Sequence, residues 1–147
     1  MALDQELVGR SYPPSAVYEV GRGKIAEFAT AIGDASPLCR DRAAAQAAGY
    51  PDVVAPPTFA IVITSGASAR LMADPELGVN YAMVVHGEQS FTYSRPVHAG
   101  DVLVAQSTIE SIKQIRTMTT MATVTEIRTA DGEHVCTARS TLVERGA

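Results

Sequence analysis

The chain is organised around one segment that has no polar side. Pro56-Pro57 cannot sit inside a helix, because proline lacks the backbone donor and clashes with the preceding turn. After it comes Thr58 to Met72, in which Phe59, Ile61, Val62, Ile63, Ala67, Ala69, Leu71 and Met72 spread around the whole circumference of a helix. A helix that is apolar nearly all round is a buried one. Thr58 is placed to cap its start, and Asp74-Pro75 closes it. Gly66 and Ala67, flanked by Ser65 and Ser68, leave room for a sheet to approach the helix backbone closely. Such a helix demands an extensive cover.

The cover is legible from Met83 onward, where the hydrophobic period changes to two. Val85, Gln89, Phe91 and Tyr93 alternate with His86, Glu88, Ser90 and Thr92, which puts His86 in the polar phase. Pro96 and Ala99-Gly100-Asp101 mark a turn. Asp101 to about Arg116, Thr117 to Thr129 and His134 to Val143 read as three further strands, with Asp131-Gly132 as the strongest hairpin signal. Upstream, Tyr12-Pro13-Pro14-Ser15 is extended, and Ala16 to Val20 is a short first strand. Ile25, Phe28, Ala29 and Ile32 share one helix face that Gly33 ends, leaving Asp34 to begin a loop. A second short helix, from about Arg42 to Ala48, has Asp41 as its cap and Gly49 as its stop. The expectation is a single α+β domain over residues 1–147: a long central helix wrapped by a five- or six-stranded antiparallel sheet. The exposed edges of that sheet need cover, which a second copy or a relative would supply, so a dimer is expected.

Several function classes fall away on inventory. A chain of 147 residues with a net charge of −4 has no electrostatic reason to seek a phosphate backbone, so nucleic acid is set aside. The longest apolar stretch, Phe59 to Ile63, is far shorter than a membrane span, and Met1 to Glu6 lacks the basic start of a signal peptide, so a soluble cytoplasmic protein is expected. Cys39 and Cys136 read as free thiols. Three scattered histidines and two distant cysteines offer no metal-ligand spacing. Gly21-Arg22-Gly23-Lys24 is a glycine-containing turn without a phosphate-binding fingerprint, and no cofactor is implied.

Three stretches in order resemble a known family. Ala31-Ile32-Gly33-Asp34-Ala35-Ser36-Pro37-Leu38-Cys39 is similar to the Gly-Asp-x-Asn-Pro-(aliphatic)-His signature of (R)-specific enoyl-thioester hydratases, the MaoC-like family. Val53-Val54-Ala55-Pro56-Pro57-Thr58-Phe59 stands where that family has Ile-Ala-His-Gly-Met before its buried helix. Phe91 to Asp101, with Arg95-Pro96-Val97 and Gly100-Asp101, resembles the family's aromatic-x-x-Pro-Val-x-x-Gly-Asp strand and turn. The resemblance covers nearly the whole chain. It implies the hot-dog fold and a substrate that is an acyl-CoA or acyl-carrier-protein thioester. Around His86-Gly87-Glu88-Gln89 the chain looks closest to the small actinobacterial members, which resemble the substrate-binding subunits of heterodimeric (3R)-hydroxyacyl-thioester dehydratases.

The departures from the signature bear most on function. In active members the aspartate and histidine hold a water and add it to, or remove it from, a trans-2-enoyl thioester. Asp34 matches that aspartate, Ser36 stands for the asparagine, and Cys39 stands for the histidine. A thiol, with a usual pKa of about 8.5, cannot move protons near neutrality as imidazole does. Pro57 aligns with a glycine whose N–H faces the thioester oxygen, and proline has no N–H; the Thr58 amide is the nearest replacement. The resemblance therefore implies Asp34 as a surviving catalytic carboxylate, with His86 as a replacement acid/base, and Ser36, Cys39, Thr58 and Phe59 as substrate-binding positions. Three readings follow. One is a degenerate acyl-thioester-binding subunit, a homodimer or the partner of a catalytic hot-dog subunit. A second is an active dehydratase or hydratase. A third, a thioesterase, needs a carboxylate on the buried helix, and Phe59 to Met72 has none. His98 and His134 are expected to be solvated.

Overall fold

The computed structural model describes residues 4–146. A short strand β1 (Tyr18–Glu19) precedes three helices, α1 (Arg22–Ala31), α2 (Arg42–Ala47) and α3 (Ala60–Met72). Four long strands follow: β2 (Val84–Tyr93), β3 (Val102–Ile115), β4 (Met118–Thr129) and β5 (His134–Arg145). The five strands form one curled sheet in the order β1-β3-β4-β5-β2, with every pairing antiparallel. This is the expected α+β hot-dog arrangement, with α3 laid along the concave face. The Asp131-Gly132 hairpin forms as expected: Gly132 takes φ +97°, and its amide donates to the Thr129 carbonyl.

The core has two parts. Ala60, Ile63 and Ala67 of α3 pack with Leu103, Ala105, Ile127 and Val135 from the sheet. Leu71, at the other end of the helix, joins Tyr12, Ile109, Ile112 and Met121. The sheet of one chain covers only one side of α3. Ile61 and Met72 keep 38% and 44% of their surface exposed, so the apolar circumference of the helix is half used within a single chain. Ile32 is likewise 50% exposed, because α1 ends at Ala31 and Gly33 turns the chain away.

Three local expectations are corrected. Thr58 does not cap α3: Phe59 holds the cap position without a side-chain bond, and Thr58 is exposed. The reason is the tight entry turn. Phe59 N–H donates to the Pro56 carbonyl at 2.9 Å, and Ile61 N–H to the Thr58 carbonyl at 3.2 Å, so the first turn winds i to i+3. Second, Gly66 admits the extended N-terminal arm rather than the sheet, since a Cβ there would lie 3.4 Å from Ser15 Cβ. Third, β2 carries a bulge at Gly87, where His86 pairs with Leu142 and Glu88 with Thr141. The extra residue reverses the alternation, so His86 shares the concave face with Gln89, Phe91 and Tyr93. A side chain at the bulge would crowd Val143 Cγ2, 3.2 Å from an ideal Cβ.

Candidate functional site

The loop after α1 is shaped by its own polar side chains. Asp34 N–H donates back to the Ala29 carbonyl at 2.8 Å, which fixes how the chain leaves the helix. Asp34 Oδ1 then accepts from Ser36 N–H at 2.9 Å, and Ser36 Oγ accepts from Leu38 N–H at 3.3 Å. These bonds start the 3₁₀ turn Pro37–Cys39, which rotates the Cys39 thiol inward until it is 4% exposed. Cys39 Sγ lies 4.0 Å from Asp34 Oδ2. Arg40 points the other way and clamps the loop to α1, donating to the Asp34 carbonyl at 2.6 Å and to Thr30 Oγ1 at 2.9 Å. Burial, and next the Asp34 charge, push the Cys39 thiol above its ordinary pKa, with Arg40 opposing. Cys39 is therefore a neutral thiol near neutrality, which leaves it a poor nucleophile.

Asp34, Ser36 and Cys39 form one wall of a cavity of about 450 Å³. Pro57, Tyr93 and Val97 stand among the residues opposite. No histidine lines it. Tyr93 Oη donates to the Pro57 carbonyl at 2.5 Å. Of the amides that open α3, Pro57 has none and Phe59 and Ile61 serve the entry turn, whereas the Thr58 N–H meets no acceptor among the described residues.

Tyr93 and Pro57 also border a neighbouring recess, which Thr58, Ile61, His86 and Gln89 line. Ile61, His86 and Gln89 in turn border a third space of about 240 Å³ between α3 and the sheet. There His86 Nε2 sits 3.0 Å from Ser140 Oγ. Of the residues singled out from the sequence, the fold therefore brings together Asp34, Ser36 and Cys39. It puts Thr58 and His86 on the adjoining recess, so Asp34 and His86 do not share a cavity within one chain. Phe59 lines none of these spaces. It is wholly buried, edge-on to Phe28 at 5.4 Å between ring centroids, as a core residue.

Reading the sequence missed Tyr93 as part of the site; it appeared only as the aromatic of a strand motif. The signal was Pro57, whose carbonyl needs an outside partner because no regular helix begins there. His98 and His134 are not simply solvated. His98 Nε2 lies 3.5 Å from Asp101 Oδ1, and His134 Nε2 lies 3.1 Å from Glu126 Oε2 and 2.8 Å from Thr137 Oγ1. Asp101 itself is buried beneath a two-pronged pair with Arg95, at 2.9 and 3.0 Å, which fixes the turn after the cavity wall. Among the described residues no group of three His, Cys, Asp or Glu side chains is arranged to hold a metal, and no helix is long and apolar enough to cross a membrane.

The family model of the FAS1-like dehydratase domain region matches residues 6–138. The chain belongs to this family. A UPF0336 protein of Streptomyces coelicolor is 55% identical over 147 residues, covering 100% of this chain and 98% of its own. Another, from Saccharopolyspora erythraea, is 53% identical over 99% of this chain and 94% of its own length. Among solved structures, the HadBC (3R-hydroxyacyl-ACP dehydratase) complex from Mycobacterium tuberculosis is similar with a TM-score of 0.85 and 29% identity, over 97% of this chain and 99% of that one. A MaoC-like dehydratase matches with a TM-score of 0.88 and 31% identity; it covers 97% of this chain and 43% of the longer protein. The MaoC-like resemblance read from the three motifs is thereby shown.

Proposed function

We propose that this FAS1-like dehydratase-region chain is the acyl-thioester-binding half of a two-subunit (3R)-hydroxyacyl-thioester dehydratase of the cytoplasm. Its partner, a hot-dog relative with the complete Gly-Asp-x-Asn-Pro-x-His signature, supplies the proton-transfer pair. The observation that carries this reading is the Asp34–Cys39 pair at 4.0 Å. A neutral thiol fills the place beside the carboxylate where acid/base chemistry needs an imidazole, while the cavity around it is kept open. The likeness to HadBC, a dehydratase complex, supports a partner of this kind. The exposed side of α3 and the unpaired outer edge of β2 give a second hot-dog subunit somewhere to pack.

Crotonyl-CoA and longer enoyl-CoAs test the reading, with the chain alone and with a co-expressed relative bearing the full signature. The expected result is negligible hydration alone and strong hydration together. Robust turnover by the chain alone, lost on Asp34→Asn or His86→Ala, would replace this reading with a self-sufficient hydratase.

A further inference from the structure

The 240 Å³ space between α3 and the sheet has a mostly apolar wall, with Ile61, Leu71, Met72 and Leu142, into which a cluster of polar side chains is set. An alkyl tail that strips water from a hydroxyl or amide, without giving a hydrogen bond back, costs free energy. Sites for such tails are accordingly lined by apolar side chains with few polar groups. Here β2 contributes His86 and Gln89, β4 contributes Thr123, β5 contributes Ser140, and α3 adds Ser65 and Ser68. Some of these are engaged at home. His86 Nε2 and Ser140 Oγ meet at 3.0 Å, and Ser65 Oγ donates to the Val62 carbonyl at 2.6 Å. Gln89 is not: its amide nitrogen reaches the Ser90 carbonyl at 3.3 Å, and its amide oxygen meets no described residue. Across the register Gln89 faces Ser140, and His86 is the next inward residue of β2, so acceptor and donors form one cluster.

This cluster adjoins the Asp34 cavity by way of the recess, with the bonded pair Tyr93 and Pro57 as the wall between cavity and recess. Ile61, His86 and Gln89 are shared onward. We infer that the space receives an acyl tail bearing a hydroxyl group remote from the thioester. That hydroxyl donates to Gln89 Oε1 and accepts from the His86–Ser140 pair. A hydroxyl fits better than an oxo group, because the free group on Gln89 is an acceptor and needs a donor. The inference rests on the acyl-thioester reading given above and adds the class of tail.

Calorimetric titration of the protein with three pantetheine thioesters tests it: decanoyl, 6-hydroxydecanoyl and 10-hydroxydecanoyl. One hydroxylated tail is expected to bind about tenfold tighter than the plain one, the worth of one good hydrogen bond. Gln89→Leu is expected to abolish that preference, with Ser140→Ala as a second variant should the first fail to give a native circular dichroism spectrum. Equal or tighter binding of the plain tail overturns the inference and leaves the acyl-thioester reading standing. A preference that survives Gln89→Leu also overturns it. Failure of all three thioesters to bind, with or without the signature-bearing relative, overturns both.

Discussion

The Tyr93 hydroxyl donates to the Pro57 carbonyl at 2.5 Å, joining the inner end of β2 to the entry turn of α3. Burial, followed by the nearby Cys136, pushes the phenol far above its ordinary pKa; the Ala60 N–H pulls the other way. Tyr93 therefore stays protonated at any physiological pH and keeps donating. It sits at the amide end of α3, between the Asp34 cavity and the recess that leads under the helix.

Tyr93→Phe removes this anchor while keeping the ring. A net loss of about 1 kcal/mol is expected for one hydrogen bond of this kind. For a domain of this size that corresponds to a melting temperature lower by about 2–4 °C. Differential scanning calorimetry on both proteins reads it directly. An unchanged melting temperature would show that the Pro57 carbonyl is satisfied without the hydroxyl.

Cys39→His restores the signature residue and is expected to give less than a tenfold gain in crotonyl-CoA hydration, because a missing oxyanion donor alone costs about 10² to 10³ in rate. Asp34 Oδ1 remains tied to the Ser36 amide and Pro57 still has no N–H, which leaves only the amide of Thr58 to replace it. Steady-state assay of the purified variant decides the matter. A hundredfold gain would mean that the Thr58 amide serves as the oxyanion donor in place of the missing one.

The motifs made the fold legible because each marks a backbone necessity. Gly132 turns the last hairpin at positive φ, and Asp41 caps α2 through the Ala43 and Ala44 amides; both stand where the sequence puts them. Asp34, Ser36 and Cys39 were grouped by the family signature they resemble, and the loop between them does bring all three to one cavity. His86 was misread for a definite reason. A bulge adds one residue to a strand, and strict alternation cannot register it. Gly87 was the clue, since a glycine inside a strand marks such a site. Phe59 was misassigned because an aromatic at the head of a helix looks the same in sequence whether it lines a pocket or fills the core. Only the Phe28 ring packed edge-on against it, from a distant part of the chain, decides the question.

Phe59→Ala is expected to act on stability rather than on ligand binding. The side chain has no exposed surface and does not line the Asp34 cavity or the recess beside it. Truncating a buried phenylalanine costs about 3–5 kcal/mol, which is a large share of a typical domain's total of about 5–15 kcal/mol. Urea denaturation measures the loss. Phe59→Leu, which keeps most of the volume, is expected to bind pantetheine thioesters as the parent does. Lost binding in a stably folded Phe59→Leu protein would return Phe59 to the substrate-binding set.

Asp52 ties three segments together, and its protonation should be visible in the acid limb of stability. Arg22 donates to it in two-pronged fashion at 2.9 and 2.7 Å, Val53 N–H donates at 2.7 Å, and Arg42 lies 3.4 Å away. The bond from Arg22 does most to hold its carboxyl below the usual carboxylate range, followed by the Val53 amide. A depressed pKa in the folded state means the folded protein prefers the ionised form. The stabilisation is therefore complete above the unfolded value of about 3.9 and fades as pH falls from there toward the depressed one. Asp52→Asn should thus lower the urea midpoint by a constant amount between pH 5 and 7, with the gap to the parent narrowing at pH 3. The loop that Asp52 holds continues into Val54 and Ala55 on the Asp34 cavity wall, so the same variant should loosen thioester binding in parallel. A gap that stays flat down to pH 3 would place the acid sensitivity elsewhere, with Asp74, which Tyr12 and Arg10 hold ionised, the next group to replace.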